Sequence, residues 1–205
     1  MSDLFGGLAA APRSEEPPAD APLADRLRPR KLDEVVGQTH LTGQEGAIGR
    51  MVAAGRLSSM ILWGPPGTGK TTLARLLADA VGMRFAPISA VFSGDADLKA
   101  AFAAARDAAR AGQRTLLFVD EIHRFNRAQQ DGFLPYVENG TVTLVGATTE
   151  NPSFALNAAL LSRAQVLILR RLDETALTEL IDRAEALVGK PLPLTEDARA
   201  ALVAS

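Results

Sequence analysis

The chain has 205 residues, of which 47% are hydrophobic and 22% charged, a composition typical of a globular protein with one α/β domain and part of a second. Its formal net charge is −2, so no global basic field indicates nucleic-acid binding, and any DNA contact must come from a local patch. The absence of cysteine excludes a disulfide framework, thiolate chemistry and a cysteine-based zinc site.

No targeting or membrane segment is evident from the sequence. No apolar run approaches the length of a membrane span, and the N-terminus lacks a basic region followed by an apolar stretch. We therefore expect a cytoplasmic protein with no membrane partner.

The first 22 residues predict a disordered tail. Residues 9–22 are rich in proline, alanine and charge. The apolar pair Leu4-Phe5 ahead of them is either a short peptide that docks on a partner protein or an ordinary frayed terminus, and the second interpretation is favoured. Four cations fall within residues 26–31, and a helix is predicted over 46–54.

Residues 64–71 form a complete phosphate-binding loop between an apolar strand at 60–63 and a helix that starts at 71. In such a loop the backbone N–H groups and the helix dipole favour an anion. Lys70 would reach the β- and γ-phosphates, and the Thr71 hydroxyl would bind Mg²⁺. The alternative is a glycine-rich turn that binds nothing. The predicted nucleotide-binding residues here are Gly64, Pro65, Pro66, Gly67, Thr68, Gly69, Lys70, Thr71 and Thr72.

Strands and helices alternate downstream of the loop. Further strands are predicted at 85–88, 115–119, 141–145 and 165–169, and helices at 95–110 and 127–138. Pro87 marks the first of these strands as irregular or peripheral, and Pro135 must kink or end the second helix. The alternation predicts a doubly wound parallel sheet whose strand ends face the ligand.

The chain changes character after Asp173. A helix is predicted over 174–188, residues 189–193 break it, and Thr195 is a candidate N-cap for another helix. We therefore divide the chain into a tail (1–22), a nucleotide-binding core (23–171) and the start of a helical lid (172–205).

Asp120 and Glu121 close the apolar run 115–119 and are the candidate catalytic acids. Asp120 would hold Mg²⁺, and Glu121 would orient and deprotonate the attacking water. Two adjacent acids favour ATP hydrolysis over a small-molecule kinase, and the guanine-reading Asn-Lys-x-Asp element of GTPases is absent.

Two further polar positions are ambiguous when they are considered in isolation. Thr148 and Thr149 either contact the γ-phosphate and the attacking water or simply cap the strand. Arg163 most simply forms a local ion pair with an acid.

The order of these motifs is that of AAA+ ATPases. Three stretches, 56–63, 120–131 and 146–154, closely resemble the replication-associated recombination protein A family, a relative of clamp-loader ATPases and of Werner-helicase-interacting protein. The resemblance covers about 23–205. It implies an α/β fold: an AAA+ P-loop core with a five-stranded parallel sheet flanked by helices, followed by an incomplete helical lid.

The resemblance also implies roles for individual residues. Thr149 would be the sensor-1 residue, with Asn151 the less favoured choice, and Arg163 would be an arginine finger that acts on a neighbouring subunit's ATP. The segment 28–38, including Val36 and Gly37, would line the adenine pocket. His123 and Arg124 either couple the site to DNA or a neighbour, or are ordinary polar residues near the strand end.

The family implies partners as well: DNA at stalled or gapped forks, especially single strands and duplex ends, single-stranded-DNA-binding protein, and a tetrameric homo-oligomer. Family chains are about twice this long, so we expect a truncated product with weak ATP binding and slow turnover. Two alternatives to a DNA-stimulated ATPase stay open: a nucleotide-dependent assembly module, and a clamp-loader or branch-migration ATPase subunit.

Overall fold

A computed structural model describes residue 18 and residues 20–203 of the chain. The Leu4-Phe5 cluster and most of the predicted tail lie outside the described residues. In the part that the structure describes, no helix is long and apolar enough to cross a bilayer.

Five parallel strands form one sheet, as predicted. They are β1 (Met60–Trp63), β2 (Arg84–Ser89), β3 (Thr115–Asp120), β4 (Val142–Thr148) and β5 (Gln165–Ile168). The spatial order is β2-β3-β4-β1-β5, and each neighbouring pair is parallel. The strand that contains Pro87 is an edge strand, which confirms the prediction from the missing N–H.

Helices flank this sheet and continue beyond it. They are α1 (Leu23–Arg26), α2 (Thr39–Thr42), α3 (Ala47–Ala53), α4 (Lys70–Ala80), α5 (Asp95–Arg110), α6 (Arg127–Asp131), α7 (Leu134–Glu138), α8 (Pro152–Ala155), α9 (Ala158–Leu161), α10 (Glu174–Val188) and α11 (Glu196–Val203). Short 3₁₀ turns span Leu32–Glu34 and Ile122–Arg124.

The hydrophobic core lies on both faces of the sheet because strand side chains alternate between the faces. On one face Met60 and Leu62 of β1 pack in a cluster with Leu73 and Leu77 of α4. On the other face Ile61 joins the cluster that contains the buried side chains of α5. A sheet covered on both sides explains why its central strands are continuous apolar runs.

The helix predicted over 127–138 is in fact two short helices, which corrects the expected position of the break. The helical hydrogen-bond pattern is interrupted between α6 and α7 at Gly132 and Phe133, before Pro135, although both residues keep right-handed helical dihedral angles. Phe133 is fully buried and packs edge-on against Phe102 of α5. Pro135 lies at the start of α7, where its missing N–H leaves no helical hydrogen bond unmade. The break between α6 and α7 therefore coincides with the burial of Phe133.

The last two helices match the predicted pattern. Gly189 ends α10 with φ +74°, and the Thr195 hydroxyl accepts a hydrogen bond from Ala198 N at 3.2 Å. Arg199 of α11 forms ion pairs with Asp182 and Glu185 of α10. The division into core and lid at 171/172 stays a prediction.

Candidate nucleotide site

The loop between β1 and α4 has the backbone geometry that an anion cradle needs. Gly67 and Gly69 have φ values of +80° and +83°, a region that favours glycine. A Cβ atom on either residue would meet nothing within 4 Å, so this part of the loop faces open space. At Gly64 a Cβ would lie 2.5 Å from the Leu169 carbonyl oxygen, so the passage of the chain beside β5 also requires glycine there.

Lys70 lies inside the loop and is only 8% exposed. Its Nζ donates to the carbonyl oxygens of Gly64 at 2.8 Å and Pro65 at 2.9 Å. Because an ammonium group has three donors, one remains for a further acceptor. Burial lowers the pKa of Lys70, and the negative charges of Glu121 and Asp120 oppose that effect. The two acids are therefore near enough to the lysine to interact with it.

The two candidate catalytic carboxylates are positioned by the end of β3. Asp120 is the last residue of β3, and Glu121 has φ +52°, the one positive φ of a non-glycine residue in the described part of the chain. A left-handed residue of this kind costs of order 1 kcal/mol and is found at functional sites more than elsewhere. It turns the chain into the 3₁₀ segment that carries His123.

His123 forms a bridge between two acids. Its Nδ1 lies 3.3 Å from Glu121 Oε2, and its Nε2 lies 3.4 Å from Glu150 Oε1. The Thr148 hydroxyl, fully buried at the end of β4, lies 2.9 Å from the same Nδ1. The Glu150 backbone N–H donates to that hydroxyl at 3.0 Å. The predicted catalytic base is thus connected to the turn after β4 through one imidazole.

The two sensor-1 candidates lie just beyond this network. Thr149 is exposed beside the buried Thr148. The side chain of Asn151 caps α8 by accepting a hydrogen bond from Ser153 N at 3.0 Å. The choice between Thr149 and Asn151 stays a prediction.

Arg163 forms the local ion pair that the sequence allowed. Its Nε contacts Glu138 of α7, and its Nη1 donates to Ala159 O and to Ser162 Oγ, both at 2.9 Å. Within this single chain the guanidinium is therefore occupied, and its role as an arginine finger stays a prediction.

A cavity of about 120 Å³ lies beside the phosphate loop. It joins the predicted adenine segment to the loop and to the predicted lid. Its lining comprises Leu27, Pro29, Glu34, Val35, Val36, Gly67, Thr68, Gly69, Thr72, Leu73, Leu172 and Leu180. Gly37 is not part of that lining. It has φ +74°, and a Cβ there would lie 2.5 Å from Leu172 Cδ2. The predicted roles of Val36 and Gly37 toward adenine stay untested.

Side-chain contacts hold the N-terminal segment against the chain just after β5 and against α10. Gln38 is fully buried, and its amide donates to Arg170 O at 2.8 Å and accepts from Arg170 N at 3.1 Å. Arg183 of α10 donates to Glu34 O at 2.7 Å. Sequence reasoning did not assign a role in the site to Glu150, Leu172 or Leu180. Glu150 lies in the family stretch 146–154, whereas the positions of Leu172 and Leu180 follow from tertiary packing.

The chain is similar to several known proteins. The model of the ATPase family associated with various cellular activities (AAA) matches residues 60–172. Replication-associated recombination protein A of Coxiella burnetii is 53% identical over 165 residues, which are 80% of this chain and 37% of that protein. The protein of the same name from Escherichia coli K12 is 50% identical over 186 residues, 88% of this chain and 42% of that one. The chain thus spans about two fifths of the curated relatives it matches.

Solved structures of RuvB from Thermotoga maritima have a similar fold. One variant superimposes with a TM-score of 0.66 at 32% identity, covering 86% of this chain and 58% of RuvB. A second, described as a Holliday junction branch migration motor, gives a TM-score of 0.62 at 33% identity and covers 80% and 55% of the two chains.

Proposed function

This chain belongs to the AAA family of ATPases, and on that premise we propose that it hydrolyses Mg·ATP to act on DNA at stalled or gapped replication forks. The resemblance to the replication-associated recombination protein A family that the motifs predicted is confirmed by matches at about half identity. The names of those relatives support a role in replication-associated recombination.

The observation that carries the ATPase proposal is the buried Lys70 beside Asp120 and Glu121, at a loop whose glycines face open space. Backbone N–H groups of the loop and the third donor of Lys70 would bind the triphosphate. Mg²⁺ would be held by the Thr71 hydroxyl and the Asp120 carboxylate, and would neutralise charge on the phosphate oxygens. A hydroxyl, one carboxylate and the substrate's own phosphates are a donor set that Mg²⁺ accepts.

In the proposed reaction water attacks the γ-phosphorus, the bond to the β–γ bridging oxygen breaks, and ADP and phosphate leave. Glu121 orients the water and accepts its proton, and His123 holds the carboxylate in place. Lys70 and the loop N–H groups stabilise the charge on the transferred phosphoryl group. Thr149 would position the water or the γ-phosphate from the end of β4.

The adenine ring is assigned to the cavity beside the loop. Its walls are largely apolar, with Pro29, Val35 and Val36 on one side and Leu172 and Leu180 on the other. Because one wall comes from the lid, ATP binding would draw the lid toward the core.

Oligomeric assembly is part of the proposal, since Arg163 would act on a neighbour's ATP. Its ion pair with Glu138 is partly exposed, so the arginine would exchange this partner for a neighbour's triphosphate at little cost. A tetramer of the whole protein, an association with single-stranded-DNA-binding protein and a cytoplasmic location at the fork are proposed from the same relatives.

A clamp-loader or branch-migration subunit has weaker support. The RuvB structures share the fold at about a third identity, whereas the recombination proteins are about half identical to the chain.

Phosphate release in the presence of single-stranded, duplex-end and forked DNA tests the proposal. We expect ATP turnover that DNA stimulates and that Glu121→Gln abolishes while ATP binding persists. Lack of turnover under all these conditions would overturn hydrolysis as the function of this chain. If turnover is absent but ATP controls assembly, the chain is a nucleotide-dependent assembly module.

A further inference from the structure

We propose that Gln130 is a positioning residue for Arg163, because it joins the helix that precedes this arginine to the segment that follows Glu121. The inference rests on the proposed function, since it concerns how the same ATP site is completed by a neighbouring subunit. A displacement at the base of one subunit would thereby reach the arginine that this subunit offers to the next.

The second half of the stretch 120–131, which resembles the recombination family, has no part in the proposed reaction. That reaction uses residues 120–123, whereas the rest of the stretch contains α6 and its N-cap Asn126. The Asn126 side chain accepts a hydrogen bond from Gln129 N at 2.9 Å, and the Gln129 side chain accepts one from Asn126 N at 3.1 Å. This capping box fixes where α6 begins and therefore which way its side chains point.

Gln130 of α6 uses its whole side-chain amide to join two segments. It is 3% exposed. Its Nε2 donates to Phe125 O at 2.9 Å, just after the 3₁₀ turn that follows Glu121, and to Ala155 O at 3.2 Å, at the end of α8. Its Oε1 accepts a hydrogen bond from Asn157 N at 2.9 Å. An apolar side chain at this position would leave three backbone groups without these partners.

The helix α9 begins at the residue that Gln130 contacts. Asn157 is the N-cap of α9, and its Nδ2 donates to Asp131 of α6 at 2.7 Å. Arg163 lies two residues beyond the end of α9 and contacts Glu138 of α7. A helix of four residues does not hold its own geometry, because isolated helices of this length are unstable. The contacts with α6 and α7 therefore determine where the arginine lies.

The segment with Glu121 has anchors of its own, so loss of the Gln130 amide should displace the arginine more than the base. Glu121 directly follows β3, and His123 contacts both its carboxylate and the Thr148 hydroxyl of β4. The buried Leu160 holds α9 against the core. An apolar contact has no preferred direction, however, so the hydrogen bonds from α6 set the orientation of α9.

Mixed oligomers test the positioning role, because the base and the arginine of one proposed active site come from different subunits. Gln130→Met should recover phosphate release when it is mixed with Glu121→Gln, which supplies a well-placed arginine to the intact base of the Gln130 variant. The mixture with Arg163→Ala should stay at least about ten-fold slower, since a misplacement of about 1 Å can cost about 10² in rate. Glu121→Gln mixed with Arg163→Ala is the positive control.

The chain offers a matched control and a second variant. Gln129→Met makes the same substitution one position earlier, where the side chain donates to Asp95 of α5 and not to the segment before α9. It should be active alone and in both mixtures. Asn157→Ala removes the contact with Asp131 from a partly exposed residue and should reproduce the behaviour of Gln130→Met.

Amide hydrogen exchange measures the same link without an oligomer. In Gln130→Met the backbone N–H groups of residues 157–163 should exchange at least about ten-fold faster than in the parent chain, because α9 loses contacts that oppose its local opening. The N–H groups of β1 should exchange as they do in the parent. An unchanged rate over 157–163, or an equal acceleration in β1, would overturn the positioning role.

The outcomes separate this inference from the proposed function. Recovery by Gln130→Met in both mixtures, or in neither, overturns the positioning role while ATP turnover by the parent stands. If the positive control stays inactive in oligomers of confirmed mass, Arg163 does not act in trans and the inference is overturned as well. A parent chain that turns over no ATP overturns the proposed function, and hydrogen exchange then decides whether Gln130 positions the segment before Arg163.

Discussion

Glu121 Oε2 lies 3.3 Å from Nδ1 of His123, so the proposed catalytic base is oriented by a histidine three residues after the end of β3. The imidazole also contacts Glu150, whose side chain is 62% exposed. A buried histidine therefore connects a surface residue to the base, and its contribution should be one of orientation.

Replacing His123 by alanine should lower kcat for ATP hydrolysis by about ten- to a hundred-fold with little change in KM, because misplacement of a reacting group slows chemistry without removing substrate contacts. His123→Gln, which keeps a hydrogen-bonding side chain, should recover part of the rate. The other histidine, His40, contacts Ile168 O instead and supplies the control, since His40→Ala should leave kcat unchanged. Equal losses in both alanine variants would contradict an orienting role.

The lowered pKa of Lys70 predicts proton uptake when ATP binds at alkaline pH. Burial favours the neutral amine, whereas a bound triphosphate favours the ammonium and raises the pKa again. Between the lowered pKa and the ordinary value of 10.5, ATP binding should therefore be accompanied by the uptake of a fraction of a proton. Calorimetry in two buffers of different ionisation enthalpy measures it, and Lys70→Met should show none.

The lowered pKa of Lys70 also predicts how stability changes with pH. The unfolded chain keeps the Lys70 proton to a higher pH than the folded chain does, so the charged lysine destabilises the fold at any pH below its lowered pKa. This destabilisation decreases as pH rises from the lowered pKa toward 10.5. The free energy of unfolding of the parent should therefore rise with pH relative to that of Lys70→Met across this window. A relative fall would contradict the direction.

Gly37→Ala should destabilise the chain and weaken ATP binding together. The alanine would have to adopt φ +74°, and its Cβ would lie 2.5 Å from Cδ2 of Leu172, a residue that lines the cavity proposed for adenine. The backbone strain alone is worth about 1 kcal/mol. Gly112 has φ +76° but no atom within 4 Å of its Cβ position, so Gly112→Ala measures strain without the clash. Thermal unfolding should show a larger loss of stability in Gly37→Ala than in Gly112→Ala. An ATP titration should show a loss of affinity in Gly37→Ala alone.

Mixing two inactive variants tests whether Arg163 acts on a neighbouring subunit. Glu121→Gln keeps the arginine and Arg163→Ala keeps the base, so a mixed oligomer contains sites with both groups. Phosphate release should be very low for each variant alone and should reappear in the mixture, because an arginine finger contributes about 10³ or more in rate. Oligomers of confirmed mass that stay inactive when mixed would contradict the role in trans.

Much of the fold could be predicted because periodicity and turn chemistry are local. The helices over 95–110 and 174–188 and the edge position of the strand with Pro87 follow from their own residues. Pro135 predicted an interruption of the helix over 127–138, but not its position at Gly132 and Phe133, since Phe133 packs in a core assembled from distant elements.

The candidate site could likewise be predicted only in part. Lys70, Asp120 and Glu121 follow from a loop motif and a strand end, and the structure brings them together. That Thr148 is buried while Thr149 is exposed depends on where β4 leaves the sheet, and the contribution of Leu180 to the cavity wall depends on how α10 packs. Neither the difference in burial nor the packing of α10 could be predicted from the local sequence.

Titration calorimetry with Mg·ATP tests the central claim, that the loop around Lys70 is a triphosphate site. The parent chain should bind one equivalent, and Lys70→Ala should bind at least about thirty-fold more weakly, because the substitution removes a buried charge from the phosphates. Lys190→Ala, which removes an exposed lysine outside the site, should bind like the parent. No heat from the parent chain, or the same affinity in Lys70→Ala as in the parent, would contradict the account.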